Sequence, residues 1–115
     1  MHHHVRNRKL GLETDQRRAL LRSLAISLIE KGKIVTTEAK AKELRPYVER
    51  LVTKAKTPGL VATRLINSKV GLKAAKILVE KIAVNYKERK GGYTRVVKLT
   101  TKRSDAASMA QIEFV

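Results

Sequence analysis

Gly91-Gly92-Tyr93-Thr94-Arg95 divides the chain. Before it, apolar residues recur at helical spacing, ending with Ala75, Val79, Ile82, Ala83 and Tyr86. After it, residues 93–100 are rich in β-branched side chains and read as a strand. Two glycines supply the tight geometry such a junction needs, and without a Cβ they let another backbone come close. An aromatic ring and an arginine follow at once.

Upstream, Thr14 and Asp15 read as an N-cap region, and Leu20, Leu21, Leu24, Leu28 and Ile29 recur at helical spacing. Gly32 ends that helix as a C′ residue, with Lys31 and Lys33 at its negative end. Ile34-Val35-Thr36 is short and β-branched, hence a strand. Thr36 or Thr37 caps a second helix with Glu38 in its first turn. Leu44, Val48, Leu51, Val52 and Ala55 form its apolar stripe, with Arg50 and Lys54 on the opposite face. Pro46 lies off the stripe at a position that can kink or split a helix, and is kept within one element. Pro58-Gly59 breaks the pattern, a short helix follows over residues 60–67, and Gly71 punctuates.

Downstream, residues 109–115 alternate. Ala110, Ile112 and Phe114 fall on one side, Gln111 and Glu113 on the other, as in a half-buried strand. A basic loop with Lys102, Arg103, Ser104 and Asp105 joins the two strands. The pattern predicts an α+β, two-layer architecture: several helices packed on a small sheet, with a C-terminal β-hairpin and a basic N-terminal arm. Residues 1–13 form the arm and 14–115 a single globular domain. The arm is expected to order only against a partner, because alone it buries too little surface to offset its ordering entropy.

The chain has 115 residues, 43% of them apolar, with 26 Lys and Arg against 10 Asp and Glu. A net charge of +16 repels itself and calls for a polyanion. Aromatics total only 3%, which favours recognition of phosphate and shape over stacking on unpaired bases. No Cys is present, which excludes a disulfide scaffold and a thiolate metal site. No apolar run reaches the roughly 20 residues of a membrane span. The start of the sequence lacks the apolar core of a signal peptide.

Catalytic constellations are poor. The histidines are His2, His3 and His4, all on the arm, so none is packed as a general base. The acids are spaced as helix-surface partners, Glu43 with Lys40 and Glu49 with Arg45 or Arg50, and read as exposed ion pairs. No phosphate-loop or dinucleotide signature occurs, and the glycine pair alone is a weak one. No metal, cofactor or small-molecule substrate is expected. What remains is distributed charge in three groups. Arg6, Arg8 and Lys9 are on the arm, and Arg17, Arg18 and Arg22 on the first helix. Lys87, Arg89, Lys90, Arg95, Lys98, Lys102 and Arg103 come late.

These residues, in order, are similar to a known family. The start Met1, His3 and a basic arm fits it, as does Arg17-Arg18-Ala19-Leu20-Leu21-Arg22. The most specific stretch is Ile34-Val35-Thr36-Thr37-Glu38-Ala39-Lys40-Ala41-Lys42-Glu43-Leu44-Arg45. Gly91-Gly92-Tyr93-Thr94-Arg95 and Met109-Ala110-Gln111-Ile112-Glu113-Phe114-Val115 complete the pattern. The chain resembles the bacterial-type large-subunit ribosomal protein seventeen family over nearly its whole length. It departs at Gln16-Arg17, where the family usually has His-Arg, and at Ser104-Asp105, where it usually has Gly-Asp.

The resemblance implies a structural protein of the large ribosomal subunit, bound to large-subunit rRNA near the peptide exit side, beside neighbouring large-subunit proteins. It places the chain in cytoplasmic ribosomes, with an organellar ribosome also open. The expected RNA-binding residues are His3, Arg6, Arg8 and Lys9 on the arm and Arg17, Arg18 and Arg22 on the first helix. Lys40, Lys42 and Arg45 follow, then Arg89, Gly91, Gly92, Tyr93, Arg95, Lys98, Lys102 and Arg103. The rival reading is a free-standing nucleic-acid-binding architectural or regulatory protein. It predicts a symmetric dimer, against which the absence of heptads and of a helix-turn-helix counts. An RNA-modifying enzyme comes third, for want of a catalytic set.

Overall fold

The computed structural model describes residues 13–57, 59–102 and 107–115. The chain runs α1 (Thr14–Lys31), β1 (Lys33–Thr37), α2 (Glu38–Lys56), α3 (Leu60–Ile77), β2 (Thr94–Lys102) and β3 (Ser108–Phe114). Between α3 and β2 the helical path continues through a π-helical turn, Leu78–Ile82, and a 3-10 turn, Ala83–Tyr86. The α+β reading holds, with helices on a small antiparallel sheet that ends in the β2–β3 hairpin.

Glu13, rather than Thr14 or Asp15, is the N-cap of α1, and its side chain makes no capping bond. Asp15 lies in the first turn, where its charge suits the positive end of the helix. At the other end Gly32 adopts φ 85° and donates its N–H to the Leu28 carbonyl at 2.7 Å. That left-handed residue turns the chain directly into β1. Thr37 caps α2 by accepting the Lys40 N–H at 3.4 Å. Pro46 sits inside α2 without dividing it. It has no N–H to give the Lys42 carbonyl, but both residues are exposed, so water reaches that acceptor.

The expected short helix over residues 60–67 is longer. It runs on to a break at Gly71, which has φ 84° and ψ 167°, and then resumes. Polar Ser68 and Lys69 on its exposed side hid the continuation, while Ile66 and Val70 carry the buried side through it.

The sheet order is β1-β3-β2, all antiparallel. Ile34, Ile112 and Val96 lie opposite one another across the three strands, as do Val35, Gln111 and Val97. The first row faces the helices. Ala110 and Ile112 are fully buried, and Ile34, Val96 and Phe114 pack against the core. The second row faces away, with Val35 and Val97 exposed. The alternation read over residues 109–115 therefore assigns both faces of β3. Helix α2 touches all three strands and also α1 and α3, so it lies between the sheet and the other helices. Leu44, Val48 and Val52 are accordingly inaccessible to solvent.

Candidate nucleic-acid interface

The glycine junction is fastened to α2 on both sides. Gly92 has φ 63°, in the left-handed region. After it, Tyr93 is 1% exposed and packs at 5.3 Å between centroids from Tyr86. Its hydroxyl accepts a bond from Lys56 Nζ at 3.0 Å and donates to the Arg89 carbonyl at 3.2 Å. Lys56 Nζ also donates to the Arg89 carbonyl and lies 5.0 Å from the centre of the Tyr93 ring. The Lys56 bond, helped by one from Thr53, holds the Tyr93 pKa below the usual tyrosine value. One residue on, the Thr94 N–H and hydroxyl both donate to Glu49 Oε2, at 3.3 and 3.0 Å. Arg45 Nε reaches the same oxygen at 3.5 Å.

Tyr93, expected on the RNA, has its ring packed in the core against Tyr86 while it also lines a depression beside Lys90 and Gly91. Two expectations are corrected here, both about carboxylates. Glu49 does pair with Arg45, yet its larger task is to anchor the first residue of β2. Glu43 is only 9% exposed rather than an open surface carboxylate, because α2 is covered on more than one side. Helical spacing cannot report burial contributed by distant elements.

Within the chain Gly92 supplies conformation, since a Cβ built there would meet none of its own atoms within 4 Å. The Gly92→Val variant is therefore expected to lose about 1–2 kcal/mol of stability from backbone strain alone. Gly92→Asn should lose much less, since Asn tolerates this region. Thermal melts of the two variants check this; equal melting temperatures for wild type and Gly92→Val would contradict it.

The other predicted cations separate into groups. Arg95 meets Glu113 at 3.4 Å on the open face of the sheet. Bonds from Gln111 and Arg95 keep the Glu113 carboxyl below its ordinary pKa. Lys42 and Lys98 share Glu38 Oε1, at 2.8 and 3.5 Å, and the Lys42 bond chiefly lowers the Glu38 pKa. These pairs are exposed and weak, so a phosphate can displace them. Arg89 donates Nε–H to the Gly91 carbonyl at 3.3 Å and so braces the turn itself. Lys40 follows the N-cap of α2, and Lys102 closes β2 opposite Ser108. His3, Arg6, Arg8, Lys9 and Arg103 lie outside the described residues, as does the arm except Glu13.

Arg17, Arg18 and Arg22 do come together, and with residues the spacing did not single out. They line a groove of about 750 Å³ between α1, α2 and α3, joined by Arg50, Lys69 and the ring of Tyr47. A second depression carries Lys54, Lys90 and Gly91, and Pro46 and Arg50 line both. The result is a cationic band from the start of α1, across α2, to the glycine turn. Arg50 and Lys54 were legible as a one-turn pair on the polar face of α2; nothing in the sequence tied Lys69 to them. Such a surface can bind phosphates by charge and by guanidinium hydrogen bonds. Among the described residues no group of His, Asp and Glu could hold a metal ion, and no helix is long and apolar enough to cross a membrane.

Comparison with known proteins agrees over the whole chain. The family model of ribosomal protein L17 matches residues 20–115. Large ribosomal subunit protein bL17 of Nautilia profundicola is 49% identical over 120 residues, covering 100% of this chain and 98% of its own. The protein of the same name from Gemmatimonas aurantiaca is 50% identical over 116 residues, with the same coverage. That of Campylobacter jejuni is 49% identical over 116 residues, covering 100% of this chain and 99% of its own.

Proposed function

The chain belongs to the ribosomal protein L17 family, and on that premise we propose that it is a structural constituent of the large ribosomal subunit that binds large-subunit rRNA. Its role is structural rather than enzymatic. The observation that carries the reading is 49% identity, along its entire length, to a protein named for that subunit. The cationic band supports the RNA part. It sets seven Lys and Arg side chains along one path: Arg17, Arg18, Arg22, Lys69, Arg50, Lys54 and Lys90. Phosphates of converging rRNA segments would neutralise it, and the expected contacts of the arm, Arg95, Lys98 and Arg103 would extend the hold. Neighbouring large-subunit proteins are the proposed protein partners, and the bacterial ribosome is the proposed location. A place near the peptide exit side is proposed on the same family resemblance.

Sucrose-gradient sedimentation of ribosomes tests the reading. The chain is expected to travel with large subunits and to stay there after a high-salt wash. Release at salt that leaves other large-subunit proteins in place, with tight binding to duplex DNA instead, would favour a free-standing architectural protein.

A further inference from the structure

The chain has three tyrosines, and two are spent inside the fold. Tyr86 is 6% exposed and donates its hydroxyl to the Val115 carbonyl at 2.6 Å; Tyr93 is the clip already described. Tyr47 differs. It packs against the core but remains partly exposed, and it lines the groove between α1, α2 and α3. Its hydroxyl makes no hydrogen bond to any described residue, and neither Arg22 nor Arg50 has an ion-pair partner among them. Both arginines lie close enough to act on that hydroxyl, against the burial that pushes its pKa up. The acid on the groove wall, Glu43, is recessed at 9% exposure.

We propose that this groove takes one unpaired nucleotide of the RNA, its base laid on Tyr47 and its flanking phosphates held by Arg22 and Arg50. The inference rests on the reading that the chain binds rRNA. A ring supported from behind by the core is a rigid platform, so little order is lost when a base stacks on it. Cations on two sides match the phosphates before and after a flipped-out base. The groove volume of about 750 Å³ fits within the ~300–1,000 Å³ of pockets that enclose small ligands. A fully paired A-form stem keeps its bases stacked inside and could meet the arginines but not the ring. The low aromatic content argues against stacking as the general mode of binding; it leaves room for one such site.

The test uses the full chain and two labelled RNA hairpins that differ only by a single-nucleotide bulge. Wild type is expected to prefer the bulged hairpin by on the order of tenfold or more, the range of one base–aromatic stack. Tyr47→Phe should keep that preference, Tyr47→Leu should lose it, and Arg50→Ala should weaken both hairpins alike. The Tyr47 ring protons of wild type should also shift upfield with the bulged RNA, a readout that does not depend on how any variant folds. Equal binding of the two hairpins by wild type, or unmoved ring signals, overturns the proposal and leaves RNA binding standing. Failure to bind either hairpin or an rRNA fragment at low salt removes the broader reading, and the proposal with it.

Discussion

Truncating Tyr93 to Ala is expected to lower the unfolding free energy by about 3–5 kcal/mol, as for other buried aromatics. The ring is 1% exposed and stacks obliquely on Tyr86. Its removal leaves a cavity that α2 and the glycine turn cannot both close. Tyr93→Phe keeps the ring and loses only the hydroxyl between Lys56 and the Arg89 carbonyl, so about 1 kcal/mol is expected. Denaturant titrations measure both. RNA affinity of Tyr93→Phe should equal that of wild type. A Tyr93→Ala protein that melts normally but loses RNA affinity would return this residue to the interface.

Affinity for an rRNA fragment should collapse with salt, by about 10³–10⁵ between 50 and 200 mM if some six to ten phosphates are engaged. The reason is the release of counterions from the RNA, about 0.7 to 0.9 in the logarithmic slope per phosphate. Arg50 lines both halves of the cationic band, so Arg50→Ala should reduce the slope by about one. Anisotropy titrations at four or five salt concentrations give the slope directly. A nearly flat dependence would contradict a surface built on phosphate contact.

The fold was legible where a local signal has a local cause. Gly32 ends α1 because its own φ is positive, and β3 alternates because one side meets α2 and the other meets water. Thr37 caps α2 because its hydroxyl lies three residues from the N–H it satisfies. Misreadings occurred where the cause lies far along the chain. Glu49 looks like one more surface carboxylate until β2 is placed beside it, 45 residues later. Tyr93 beside two glycines and an arginine suggests an RNA contact, and nothing in that stretch announces its packing on Tyr86 or its bond from Lys56. The basic band was half legible. Arg17, Arg18 and Arg22 share one helix, whereas Lys69 joins them only because α3 packs on α1.

The order β1-β3-β2 also bears on how the chain is made. The middle strand of the sheet is the last to be synthesised, and each outer strand pairs only with it. Residues 33–37 must wait for 109–113 before any of their ladder bonds can form. A nascent chain can assemble α1 and α2 early, but it carries two unpaired strands until residues 108–114 have been made. Closing a loop of that length is slow, and open strand edges invite wrong partners meanwhile. Closing of the sheet is thus tied to β3, and a fragment that stops before residue 108 would lack the strand on which both outer strands pair.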